Sequence, residues 1–98
     1  MTVKAIYAMI SGQVQQVGYR QTCRSTARSL DLVGWVRNLD DGRVELFAQG
    51  HPERVDRLVN WAWAGPTAAR VTGVESENVA VDRTLTDFFI QPNRKKDV

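Results

Sequence analysis

One cysteine among 98 residues excludes an intramolecular disulfide. Stability then has to come from packing, and a reducing cytoplasm is the expected setting. One histidine, His51, is equally thin material for acid–base chemistry. At the start of a helix-like run it reads as a capping or surface residue rather than a base. No set of His, Cys, Asp and Glu shows metal-ligand spacing, and no carboxylate pair stands out. Asp40-Asp41-Gly42 is turn chemistry, because two adjacent carboxylates alone make a poor cage. The apolar run "AIYAMI" is far too short to cross a bilayer. The start "MTVKAIYAMISGQ" has neither the basic opening nor the long apolar stretch of a signal peptide. Repeats, low-complexity segments and linkers are missing too. A single domain over residues 1–98 is expected, with a core over about 3–91 and a polar tail over 92–98. That tail, "NRKKDV" with its preceding Pro92, offers nothing a core can use and reads as frayed.

Charge is modest as well. Charged residues make up 24% of the chain, with net charge +2 and a pI near 9.0. This suits an anionic ligand but falls short of a nucleic-acid footprint, since outside the tail the basic residues are dispersed. Hydrophobic residues make up 43%, enough for a packed core, so disorder and membrane residence are both disfavoured. The expected protein is a cytoplasmic monomer that acts on a small anionic ligand, without nucleic-acid or membrane partners.

What is present is a clear alternation of elements. "VKAIYAMI" (3–10) is apolar and rich in strand formers, and "SGQ" ends it. Cys23, Ala27 and Leu30 recur at helical spacing over 20–30, with Tyr19 one turn earlier, and Asp31 closes the helix. "LVGWVRNL" (32–39) is a strand, "DDGR" (40–43) carries the Asp-Gly signal of a tight hairpin, and "RVELFAQG" (43–50) returns as its partner. Over 51–65, Pro52 and Glu53 mark a helix start, Val55, Leu58, Val59 and Ala62 share a face, and Gly65-Pro66 stops it. A strand over 69–79 follows, with Gly73 suggesting a bulge, and a short last strand covers 85–91. The order βαββαβ plus a short final strand predicts an α+β, ferredoxin-like sandwich, an antiparallel sheet with two helices on one face. That arrangement hosts many functions, so function has to be read from a site.

The candidate site is "GQVQQVGYR" (12–20), between the first strand and the first helix. Unpaired N–H groups collect at a helix start, where the dipole is positive. Gly12 and Gly18 permit angles that turn consecutive amides toward one point, an anion nest. Arg20 adds a planar cation that fits two phosphate oxygens at once. Five residues separate the glycines and no Lys-Ser or Lys-Thr follows, so this is not a Walker A loop. Nor is "CRSTARS" a cysteine-phosphatase signature. Only four residues separate Cys23 from Arg28, and Cys23 lies on the apolar helix face as an inert thiol. On these residues alone, a plain structural turn and a phosphate cradle both stand. A second segment, "GWVRNLDDGRVE" (34–45), tips the balance by placing Asn38 at a strand end before a hairpin. In a ferredoxin-like order the first and second strands flank the helix that Arg20 begins, so Arg20 and Asn38 can approach each other. A carboxamide there can hold a water in line with a bound phosphate.

With these two segments the sequence resembles the acylphosphatases, and "WAWAGPTAARVTGVESE" (61–77) resembles that family's Gly-Pro and fourth-strand region. The similarity runs from about Val3 to Gln91. By that resemblance, Arg20 corresponds to the phosphate-binding arginine and Asn38 to the asparagine that orients the attacking water. The backbone amides of Gln15, Gln16, Val17, Gly18 and Tyr19 correspond to the phosphate cradle. The resemblance implies hydrolysis of acyl phosphates to a carboxylate and inorganic phosphate by direct attack of water, without metal, cofactor or covalent phosphoenzyme. Two residues depart from the family pattern: Gln16 and Asp31 each stand where a glycine is usual. A positive φ at residue 16 would carry strain of about 1–3 kcal/mol, expected to loosen the loop and lower the rate.

The scarcity of acid–base residues fits this chemistry. A carboxylate departs without being protonated, so positioning and charge stabilisation are the main demands. The rest of the chain takes simpler readings. Arg24 and Arg28 continue the row from Arg20 as a solvated helix face. Trp35, Trp61 and Phe88-Phe89 read as core or partly buried packing, with Trp63 the candidate for exposure, and Arg37 faces away from Asn38. The alternative function is a non-catalytic ferredoxin-like module binding RNA or a metabolite. The strands, however, lack the aromatic pattern that RNA binders of this topology carry.

Overall fold

In the computed structural model residues 2–94 are described. The chain forms β1 (Lys4–Gln13), α1 (Tyr19–Ser29), β2 (Val33–Asn38), β3 (Val44–Gly50), α2 (Pro52–Ala64), β4 (Arg70–Asn78) and β5 (Phe88–Ile90). The strand order in the single five-stranded sheet is β4-β1-β3-β2-β5.

Alternation along the strands decides where the helices go. On β1, Ile6, Ala8 and Ile10 point to one face, joined by Val36 of β2, Val44, Leu46 and Ala48 of β3, and Phe88 of β5. The apolar stripes Tyr19-Cys23-Ala27 of α1 and Val55-Leu58-Ala62 of α2 close over that same face. Each large side chain buried there contributes about 1.5–3 kcal/mol. The other face is half-covered. Trp35 stacks on Phe47 at 6.0 Å between centroids, and the Arg37 guanidinium lies 4.8 Å over the Trp35 ring. Arg37 thus does face away from Asn38, and Trp63 is the exposed tryptophan, at 53%.

β1 pairs antiparallel with β3 and β4, and β2 pairs antiparallel with β3, as expected; β5 pairs parallel to β2 and makes the sheet mixed. The reason lies in the crossing after β4, whose last residues sit opposite the start of β1. The chain passes under that end, where the Gln49 carboxamide both donates to the Asp82 carbonyl (2.7 Å) and accepts from its N–H (2.8 Å). It then rises beside β2 in β2's own direction. Arg28 pins this edge, donating to the Phe88 carbonyl at 3.1 Å and pairing with Asp87 at 3.0 Å. Its role is therefore wider than that of a solvated helix residue. Phe88 N–H and the Arg28 cation together hold the Asp87 carboxyl below its usual range.

β5 covers only Phe88–Ile90 of the expected 85–91, and two further boundaries differ from the sequence reading. β1 runs on to Gln13 rather than ending at Ile10, because Gly12 still pairs with Val71 across a register shift that leaves Thr72 as the extra residue. The expected bulge is there, one residue before Gly73, which itself pairs with Ser11; Gly12 belongs to the strand and not to an anion nest. A Cβ on it would lie 2.1 Å from the Arg70 carbonyl oxygen, and its φ is 121°. The segment beyond Gln91 is the second difference. Residues 92–94 are not a frayed tail: Arg94 N–H donates to the Asn38 carbonyl at 2.9 Å. Residues 95–98 lie outside the described residues.

Gly12→Ala should destabilise the fold by about 2–3 kcal/mol, since backbone rather than a mobile side chain blocks the new methyl. Urea unfolding checks this, and a loss under about 0.5 kcal/mol would contradict the bulge geometry.

Candidate active site

At the end where β1 gives way to α1, the chain has to reverse direction in five residues. Val14 is buried at 1% exposure and starts the turn from the core. Gln16 then adopts φ 62° and Gly18 φ 78°, with Val17 between them at negative φ. Such alternation of hand tilts successive N–H groups to one side. Among the described residues, the N–H groups of Gln15, Gln16, Val17, Gly18 and Tyr19 donate to no protein acceptor. The first intrahelical bond of α1 is Thr22 N–H to the Gly18 carbonyl, 3.1 Å. No side chain caps α1 and no acidic residue stands in its first turn, so its positive end is left uncompensated. Gln16 does carry the positive φ anticipated for a residue in a glycine's place. For a non-glycine residue that conformation costs about 1–2 kcal/mol.

Three contacts keep this turn in place. The Gln15 carboxamide donates to the carbonyls of Leu39 (2.8 Å) and Arg43 (3.0 Å), tying the loop to the β2–β3 hairpin. The Tyr19 hydroxyl donates to the Ala62 carbonyl at 2.8 Å and fastens the start of α1 to α2. Its ring packs on Trp61 at 5.1 Å and over Gly65, where a Cβ would meet it at 2.8 Å. Burial pushes the Tyr19 phenol far up its pKa scale, so it stays a neutral donor.

Asn38 ends β2 at the same edge of the molecule. It is 7% exposed, and its Oδ1 is buried without a hydrogen-bond partner. An orphaned buried acceptor costs about 1–3 kcal/mol, so its place calls for an explanation. Asn38 lines a cavity of about 290 Å³ with Val14, Gln16, Gly18, Arg20, Gln21 and Ile90 among its walls. Arg20 enters this cavity from the first turn of α1. Among the described residues no carboxylate pairs with it; its Nη1 donates instead to the neutral Asn93 Oδ1 at 3.1 Å. The cavity therefore holds a cation that no carboxylate among the described residues neutralises, an uncapped helix start and an unsatisfied amide oxygen. This is a setting for a small anion with a water beside it.

Of the sequence-derived residues, Gln16, Gly18, Tyr19, Arg20 and Asn38 line this one space; Gln15 and Val17 belong to the same turn without lining it, and Gly12 lies in the strand. His51 lies away from it: the residue next to it, Gly50, pairs with Lys4, at the opposite end of β1. Cys23 is fully buried in α1 and its thiol is pushed up by burial, as an inert thiol should be. The sequence reading missed the side chain of Gln15, together with Ile90 and Asn93. A glutamine carries no local signal for a contact with a hairpin more than twenty residues away.

The sequence matches the acylphosphatase family over residues 6–90. An acylphosphatase of Methylococcus capsulatus is 46% identical over 88 residues, covering 90% of this chain and 96% of that protein. One from Acaryochloris marina is 57% identical over 68 residues, covering 69% of this chain and 73% of that protein. Among solved structures, an acylphosphatase from Coxiella burnetii superposes with a TM-score of 0.87 at 38% identity, covering 91% of this chain and 93% of that one.

Gln16→Gly removes the left-handed strain but makes the unfolded chain freer. The two terms partly cancel, for an expected net gain of about 0.5 kcal/mol in stability. Urea unfolding of the variant checks it, and a destabilisation above about 1 kcal/mol would mean the Gln16 side chain itself supports the loop.

Proposed function

The chain belongs to the acylphosphatase family, and from that membership we propose that Arg20 and the loop amides grip the phosphate of the substrate while Asn38 aims a water at it. The protein is an acylphosphatase: it hydrolyses the carboxyl–phosphate bond of acyl phosphates and releases inorganic phosphate. The family match favours this enzyme over a non-catalytic module binding RNA or a metabolite.

In the proposed reaction the phosphate oxygens take hydrogen bonds from the N–H groups of Gln15, Gln16, Val17, Gly18 and Tyr19, and two of them meet the Arg20 fork. The charge on these oxygens grows or redistributes as the bond to the acyl oxygen stretches, and donors already in place need no rearrangement to meet it. A water held by the Asn38 Oδ1 attacks phosphorus from the side opposite the leaving group. The P–O bond to the acyl oxygen breaks, its electron pair leaves with the carboxylate, and the water's proton passes to a phosphate oxygen. Neither a protein acid nor a protein base is required, because a carboxylate is a good leaving group unprotonated.

One observation carries this reading: the Asn38 Oδ1 is buried, unpartnered and shares its cavity with Arg20. The same proposal has the enzyme working as a monomer in the cytoplasm. Its one cysteine is buried and reduced, and no helix among the described residues is long and apolar enough to cross a membrane.

Arg20→Ala should lower kcat/KM for a synthetic acyl phosphate by about a thousandfold and weaken competitive inhibition by phosphate, with Arg20→Lys restoring little. Near-native turnover in the purified alanine variant would reject the assignment. Asn38→Ala should lower kcat about a hundredfold while changing the phosphate Ki far less, since water placement matters mainly in the transition state. Parallel losses in both constants would make Asn38 a structural residue.

A further inference from the structure

The geometry points to the segment after β5 as a strap that sets the site, with Asn93 as a positioning residue for Arg20. The inference rests on the roles proposed above for Arg20 and Asn38. β5 ends at Ile90, but the chain keeps following β2. Gln91 N–H donates to the Val36 carbonyl and Arg94 N–H to the Asn38 carbonyl, each at 2.9 Å, and Arg94 forms a parallel bridge with Leu39. The backbone that carries the Asn38 carboxamide is therefore held on one side by β3 and on the other by this segment.

Asn93 reaches Arg20 from the same strand-like run, its Oδ1 accepting from Nη1 at 3.1 Å. A guanidinium has five N–H donors in one plane, so one occupied donor orients the fork and leaves the others for an anion. The identity of the acceptor matters. A carboxamide orients the cation without neutralising it, whereas a carboxylate would occupy the charge the substrate dianion needs.

The strap is anchored from the other face of the sheet. Arg94 sends its guanidinium to Glu45 at 3.4 Å, a carboxylate only 1% exposed that also takes Arg37 Nε at 2.5 Å and the Tyr7 hydroxyl. A buried carboxylate requires such partners, so one end of the half-exposed Arg94 side chain is directed to a fixed interior group. Burial, and then the bond to Glu45, push the Tyr7 phenol up to about 12, so it remains a donor through neutral pH. With Arg94 drawn to one face, its neighbour Asn93 is presented to Arg20 on the other.

The test uses the full chain with Asn93→Ala and Asn93→Asp, a synthetic acyl phosphate as substrate, and inorganic phosphate as competitor. Asn93→Ala should raise the phosphate Ki and lower kcat/KM by about three- to tenfold, the effect of loosening one solvent-accessible hydrogen bond to a charged group, with the melting temperature essentially unchanged. Asn93→Asp should raise the phosphate Ki further, and the excess over alanine should shrink as salt is added, because the new carboxylate competes for Arg20. Wild-type Ki, kcat and KM in Asn93→Ala would overturn the inference. So would equal losses in both variants that track a fall in melting temperature, the mark of a purely structural residue. These failures differ from failure of the site itself, which would appear as turnover surviving in Arg20→Ala.

Discussion

A backbone that changes hand twice within three residues is the constraint on which the site depends. With Gln16 and Gly18 at positive φ, the chain leaves β1, turns its amides outward and enters α1 without a cap. Donors made from main chain are already oriented before a ligand arrives, so no rearrangement is needed when charge develops. The turn keeps its shape through contacts at three points: Val14 in the core, the Gln15 carboxamide on the hairpin carbonyls and the Tyr19 hydroxyl on α2. Each belongs to a different part of the chain, so the loop inherits the rigidity of the whole sandwich.

Energetically unfavourable features gather at this one end. Gln16 holds a strained φ, Asn38 buries an oxygen without a partner, and Arg20 faces no carboxylate among the described residues. The first two each cost on the order of 1 kcal/mol against a fold whose total margin is about 5–15 kcal/mol, whereas the half-buried Arg20 keeps its contact with water. Elsewhere the buried carboxylate of Glu45 has two arginines and a tyrosine, and the crossing under the sheet is closed by a two-way carboxamide bond. Asp31 also takes a positive φ, 56°, beyond the end of α1, but the departures around this cavity share a space that a ligand can enter and supply with the missing partners.

Much of this was legible from residue order. Periodicity located both helices and the four long strands, and the Asp-Gly turn located the hairpin that brings Asn38 and Gln15 to one edge. Arg20 and Asn38 were readable as a pair because a βαβ order constrains which element ends can meet. Other features were not. Gly12 looks like a loop glycine, yet its freedom serves a strand approached to within contact by the Arg70 carbonyl. Arg28 looks like a solvated residue, yet it holds β5. Residues 92–94 look like a polar tail, yet they extend the sheet edge past Asn38. In each case the partner lies far away in the chain, and no short-range pattern records it.

The order of residues by itself determined the element types, the glycine and arginine of the loop, and the placing of a carboxamide at a strand end. These depend on periodicity and turn chemistry, which act over a few neighbours. Tertiary structure alone decided which way β5 runs, what holds the loop, and whether Asn38 keeps a free oxygen. Those outcomes depend on groups tens of residues apart competing for the same hydrogen-bond partners, and that competition is resolved only when the sheet and helices have closed on one another.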